Sequence, residues 1–203
     1  MSPAPPTSQP SIVPRLSIAV LPFANLSNDS EQQYFADGIT EDLTADLSRI
    51  ADSFVISRNT AFTYKGKPVD TKQIGRELGV RYVLEGSVRR LGNQIRINAQ
   101  LIDAATDTHL WAERFNGDTS DLFGLQDEIT TRIAVALDIE LISAEAVRPT
   151  ESPDALDYIL RGRAARLRPT SRDSLAEAIS LFEHAVAADP GSSEAQSRLA
   201  MCL

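Results

Sequence analysis

The chain has 203 residues, 42% of them hydrophobic, enough to bury one sizeable core with room for a second small unit. Its formal net charge of −8 argues against a nucleic-acid-binding surface, because phosphate neutralisation needs a clustered excess of Lys and Arg. The single cysteine, Cys202, excludes an internal disulfide, and no run reaches the roughly 18 apolar residues needed to cross a bilayer.

The start, Met1-Ser-Pro-Ala-Pro-Pro, has neither a basic segment nor an apolar signal core, so a cytoplasmic location is expected. Residues 1–15 hold five prolines with Ser, Thr and Gln, a composition that predicts a disordered tail. Leu16 to Phe23 is apolar on both faces, as in a central strand, and Pro22 marks its end. After a polar loop, Asn25 to Gln33, the recurrence of Ile39, Leu43, Leu47 and Ile50 predicts a helix whose wet face carries Glu41, Asp42 and Asp46. Phe54 to Ser57 reads as a second strand. Asp70-Thr-Lys-Gln73 has the form of a capping box opening a short helix with Ile74 and Leu78, stopped by Gly79.

A hairpin follows. Tyr82, Leu84, Gly86 and Val88 share one face of its first strand, and Ile95, Ile97, Ala99 and Leu101 repeat the period on the second. Gly92-Asn93 supplies the turn, since both residues accept positive φ. His109 to Phe115 is a further strand with Trp111, Glu113 and Phe115 on one side. Thr119 or Ser120 then caps a helix striped by Leu122, Leu125, Ile129, Ile133, Ala136 and Leu137. This order predicts an α/β (α+β) domain over 16–142, a mixed β-sheet with helices packed on it.

Residues 143–153 read as a linker. Beyond it, 154–203 forms a short all-α segment, with helices from Asp154 to Arg168 and from Ser171 to Ala188, closed by Asp189-Pro190-Gly191. Ala178, Phe182, Ala185 and Pro190 have the spacing of the second helix of a tetratricopeptide repeat, although Gly162 lies four residues before the usual small position of its first helix. Leu199, Ala200 and Leu203 match the opening of a following repeat, inside which the sequence ends. Leu199 and Leu203, four apart, are therefore candidate partner-binding residues, for a protein partner or a second copy.

The blocks Ile18 to Phe23, Tyr34 to Asp42, Arg76 to Arg90, Leu101 to Ala104 and Leu110 to Arg114 together resemble the TolB-like amino-terminal module. Where that family usually has Gly after Thr106, this chain has Asp107. Proteins similar to this one carry the module, with tetratricopeptide repeats, behind a class III adenylate or guanylate cyclase domain or a winged-helix DNA-binding domain. The resemblance implies no catalytic residue and no cofactor.

The residues themselves offer little chemistry. Asp37, Glu41, Asp42 and Asp46 suit a helix start and its wet face better than a metal or acid–base site. His109 and His184 fall in different domains without a nucleophile beside them. Gly75, Gly79 and Gly86 run from helix to strand, the wrong order for a phosphate loop, and Gly86 marks a bulge or a close helix contact. Arg161, Arg163, Arg166 and Arg168 read as a solvated helix face. The loops after the first two strands bring Asn25, Ser27 and Asn28 together with Arg58, Asn59, Thr60 and Lys65. Asn25, Ser27, Arg58 and Asn59 are candidate ligands for a carboxylate or phosphate, against the plainer reading of turns and caps. The expectation is a non-enzymatic regulatory or protein-interaction module of a bacterial signalling protein; the alternatives are a detached cyclase tail and a small-ligand-sensing domain.

Overall fold

A computed structural model of the chain describes residues 13–27, 32–118, 121–150 and 152–203. The proline-rich stretch to residue 12, Asn28 and the Thr119/Ser120 cap lie outside the described residues. The chain divides into two compact units, Met1–Ala134 and Val135–Leu203.

The first unit is a mixed sheet with helices, as the strand and helix patterns predict. Its strands are β1 (Leu16–Val20), β2 (Ala24–Asn25), β3 (Ser53–Val55), β4 (Tyr82–Leu91), β5 (Gln94–Asp103) and β6 (Thr108–Asp118). The order is β3-β1-β4-β5-β6, with β2 also paired to β4. The β1, β2 and β3 pairings are parallel, while β4-β5-β6 is an antiparallel meander. β1 is buried at every residue, which explains why its sequence shows no alternation. Pro22 carries no N–H, and the next donor, buried Phe23 N, gives its hydrogen bond to Thr40 Oγ1 at 3.1 Å. That bond ties the end of the strand to helix α1 (Gln32–Leu47).

α1 buries Ile39, Leu43 and Leu47, but the helix ends before Ile50. Arg58–Phe62 forms a one-turn helix α2, and α3 runs Thr71–Leu78. Asp70 does cap α3, accepting from Gln73 N at 3.0 Å. The reciprocal arm of the box is not made; Gln73 Nε2 instead donates to Glu77 Oε1 at 2.7 Å. Gly79 closes α3 at φ 64, the left-handed conformation that glycine tolerates without cost.

Along the meander, alternation separates two faces. Leu84, Gly86 and Val88 of β4 lie opposite Leu101, Ala99 and Ile97 of β5, and Trp111 and Phe115 of β6 continue this apolar face. Gly86 sits in unbroken register, so it marks neither a bulge nor a helix contact. A Cβ there would lie 2.3 Å from the ring of Phe23, whose side chain fills the space glycine leaves. The irregularity falls instead between Leu101 and Ile102 in the β5–β6 ladder. At the β4–β5 turn only Gly92 has positive φ (61), a sign pattern that fits type II′ and leaves Asn93 in ordinary space. Asp107 takes φ 63 in the β5–β6 connection, where Asp103 Oδ1 accepts from Ala105 N and Thr106 N at 2.9 and 3.1 Å.

Helix α4 (Leu122–Ala146) begins in the first unit and ends in the second. It occupies the first residues of the stretch read as a linker. The second unit adds α5 (Ala155–Leu167), α6 (Arg172–Ala188) and α7 (Ser193–Ala200). Asp154 with Asp157, and Ser171 with Ser174, form reciprocal capping boxes that fix the starts of α5 and α6. Ala178, Phe182 and Ala185 are the buried residues of α6, and the Phe182 ring lies against Gly162 of α5, where a Cβ would approach it to 2.6 Å. Small and large residues are thus matched across the helix pair.

Candidate functional site: the open polar face of the meander

The second face of the meander is polar. Alternation puts Glu85, Ser87 and Arg89 of β4 beside Gln100, Asn98 and Arg96 of β5, followed by Arg114 and Asn116 of β6. α3 covers only its beginning, where Ile74 packs on Val83, Ala19 and Ala104. Below that cover the face opens, and its side chains are linked across strands. Gln100 Nε2 donates to Glu85 Oε1, Asn98 Nδ2 to Ser87 Oγ at 3.3 Å, Arg114 Nε to Asn98 Oδ1 at 3.2 Å, and Arg96 Nε to Asn116 Oδ1 at 3.0 Å.

Where the α2–α3 connection overhangs this face, a cavity of about 470 Å³ forms. Its floor is Glu85, Ser87, Asn98 and Gln100; Leu21 and Pro22, just past the end of β1, make one wall; Tyr64 to Lys67 make the other. Ligands of open α/β sheets collect at such carboxyl ends of parallel strands. The overhang is itself held in place. Lys65 Nζ bonds both oxygens of Asp37 at 2.7 and 2.8 Å, and Tyr64 Oη donates to Glu77 Oε2 at 2.5 Å. Hydrogen bonds from Tyr64 and then Gln73 hold the Glu77 carboxyl below its ordinary range, while the hydrogen bond that the Tyr64 phenol donates to Glu77, followed by desolvation, pushes that phenol up.

The four residues singled out as anion ligands occupy other places. Asn25 Oδ1 accepts from Ser27 N at 2.9 Å, and Ser27 Oγ accepts from Arg90 N at 2.8 Å, so this pair fastens β2 to β4. Arg58 stacks over the Phe62 ring at 4.0 Å and faces Glu41 at 3.5 Å. Asn59 is exposed on α2. None of the four lines the cavity, and only Lys65 of the wider loop group does. Glu85, Ser87, Asn98 and Gln100 escaped notice because polar residues on the outer face of a hairpin read as solvated alternation. The overhanging α2–α3 connection, which turns that face into a cavity, has no local sequence signature.

In the second unit, Leu199 packs with Leu181 and Cys202 against the buried Ala165, Ala178 and Phe182. Leu203 lies past the end of α7 and is 87% exposed. The two therefore do not share a stripe on one helix. Arg163 is a correction of another kind: it is 8% exposed, not part of a solvated face, and its Nη2 donates to Asp138 at 2.9 Å. His184 Nδ1 lies 2.7 Å from Ser180 O and the ring stacks on Tyr158, which accounts for it without catalysis. No helix of the described residues is long and apolar enough to cross a membrane.

A protein of Rhizobium meliloti (strain 1021) named "Putative adenylate cyclase 3" is 48% identical over 196 residues, which is 95% of this chain. The chain spans 33% of that relative's length. Among solved structures, lipoprotein GNA1162 from Neisseria meningitidis is 23% identical, with a TM-score of 0.45 over 60% of this chain and 99% of its own. TolB from Acinetobacter baumannii is 21% identical, with a TM-score of 0.42 over 60% of this chain and 28% of its own. The family model that matches, over residues 14–134, is that of the HilA/YgeH-like transcriptional regulator, second domain. With most of its length inside that match, the chain belongs to the HilA/YgeH-like second-domain family.

Proposed function

We propose that this chain is the non-enzymatic regulatory and protein-interaction part of a bacterial signalling protein. The observation that carries the reading is the match to one third of a relative named as a cyclase, in a chain whose family is the second domain of transcriptional regulators. One module beside two different output domains is expected of a part that senses or docks and leaves the chemistry to its neighbour. In this reading the first unit is a TolB-like module and α5, α6 and α7 begin a tetratricopeptide-type scaffold. The buried Ala178, Phe182 and Ala185 support the second assignment. The coding sequence upstream of Met1 tests it: an in-frame cyclase or winged-helix domain supports the reading, and an unrelated enzyme of a different class would count against it.

The small-ligand alternative is favoured by one feature, the 470 Å³ cavity, which lies within the roughly 300–1,000 Å³ range of ligand sites. Lys67 brings positive charge to one side of it, Lys65 there being paired with Asp37, and Ser87, Asn98 and Gln100 offer polar groups on the floor beside Glu85, which accepts from Gln100. A polar ligand with an anionic end suits that lining. Titrating the chain with ATP, cyclic AMP and phosphate, read by amide NMR, should shift Ser87, Asn98 and Gln100. Arg58→Ala separates this site from the loop-residue proposal of Asn25, Ser27, Arg58 and Asn59: it weakens binding only if those loops hold the anion.

A further inference from the structure

We propose that the cavity formed by α4, α5, α6 and α7 in the second unit receives a segment of a partner protein that presents a carboxylate beside an aliphatic side chain. The cavity measures about 250 Å³. That is below the roughly 300–1,000 Å³ of drug-sized sites, so it suits one or two side chains and not a nucleotide. Its lining is of two kinds: the apolar Ile142, Phe182 and Met201, and the cationic Arg163, Arg166 and Arg198, with Asp138 the one carboxylate among them.

Arg163 is the informative residue. It is more than nine-tenths buried, and a guanidinium cannot shed its charge, so its donors need acceptors. Asp138 turns both oxygens to one nitrogen, Nη2, at 2.9 and 3.3 Å. Nη1 is closed to water and has no hydrogen-bond partner among the described residues. A buried donor left in that state is destabilising, and natural interiors satisfy nearly all of them.

The charges agree with the hydrogen bonds. Arg198 is paired with Glu194 at 3.1 Å and Arg163 with Asp138, which leaves Arg166 as an additional cation at the cavity. A positive excess here runs against the chain's net charge of −8. One incoming carboxylate corrects both defects. Arg166 supplies the exposed charge that meets it, and Met201, 67% exposed and with several rotatable bonds, is able to shift as the carboxylate pairs with the Arg163 guanidinium. The apolar lining then holds the aliphatic neighbour, which gives the ligand an orientation. That the ligand belongs to a protein rests on the interaction-module reading; the carboxylate chemistry follows from the cavity alone.

Cys202 lines the cavity and is the chain's one cysteine, which makes it a built-in reporter. The rate of its alkylation by iodoacetamide is measured on the whole 203-residue chain. The probes are acetyl-Leu-Glu-Leu-amide, its Leu-Gln-Leu counterpart and N-acetyl-leucine. The proposal predicts saturable protection by the Glu peptide and about tenfold weaker protection by the Gln peptide, the effect of one charge-assisted hydrogen bond. Arg163→Lys and Arg166→Gln should each weaken protection by a similar factor with circular dichroism unchanged. If Arg163→Lys unfolds the helices, the exposed Arg166→Gln decides alone. No protection by the Glu peptide, or equal protection by the Gln peptide, overturns the proposal. Protection by N-acetyl-leucine alone overturns the protein segment in favour of a free acid. Either failure leaves the regulatory reading intact, because that reading is tested by a different signal.

Discussion

Replacing Gly86 by Ala tests the packing that fixes the sheet. The added Cβ would stand 2.3 Å from Phe23 Cε1 and 2.6 Å from both Phe23 Cζ and the backbone oxygen of Asn98. Contacts below 3 Å force something to move, and Phe23 is only 1% exposed, so its ring has no open space to move into. Asn98 O belongs to the β4–β5 ladder and moves only with the strand. Overpacking of this kind costs about 1–3 kcal/mol, and a contact with a fixed backbone atom puts this site toward the upper end. Urea unfolding followed by the single tryptophan, Trp111 on β6, reports the first unit directly. A loss of about 2–3 kcal/mol is expected, on the order of 10 °C in Tm. Phe23→Leu in the same background should recover about 1 kcal/mol of it, because the ring clash is relieved while the Asn98 clash stays. A change below about 0.5 kcal/mol for Gly86→Ala, or strict additivity in the double variant, would refute the argument.

Asp103→Ala removes the acceptor for Ala105 N and Thr106 N at a residue that is 7% exposed, and should cost about 1–3 kcal/mol by the same urea assay. Tyr64→Phe should raise the Glu77 carboxyl pKa in a ¹³C NMR titration, since the phenol hydrogen bond is the largest cause of its depression. The sign follows: a depressed Glu77 stabilises the fold above its unfolded pKa and loses that contribution as pH falls through the folded value. Tyr64, shifted upward, contributes below the ordinary tyrosine range and loses its share as pH rises through its folded value. Leu199→Glu should expose amides of α6 and α7 to hydrogen exchange while leaving those of β4 and β5 protected, because Leu199 packs against the second unit's own core.

Much of the fold was legible because its signals are local. β1 announces itself by continuous apolar residues, α1 by Ile39, Leu43 and Leu47, and the hairpin by strict alternation around Gly92. The errors fall where a residue answers to something distant in sequence. Gly86 looked like a bulge, yet its reason is the ring of Phe23, 63 residues earlier and on the neighbouring β1–β2 connection. Arg163 looked like one of four solvated arginines until α4 placed Asp138 beside it. The site was harder still. Polar residues near strand ends drew attention to Asn25 and Arg58, whose partners turned out to be Ser27, Glu41 and Phe62. The cavity depends on the α2–α3 connection passing over β4 and β5, an arrangement set by the tertiary packing of Ile74 and Val83 and not by any motif.

The central claim, that this chain regulates and does not catalyse, is tested most directly by cyclic AMP formation from ATP. The comparison is between the 203-residue chain alone and the Rhizobium meliloti relative with and without the third that this chain matches. The account predicts no turnover by the chain, and a relative that still makes cyclic AMP at an altered rate once that third is removed. Turnover by the chain itself, or a relative whose rate is untouched by the deletion, would contradict it.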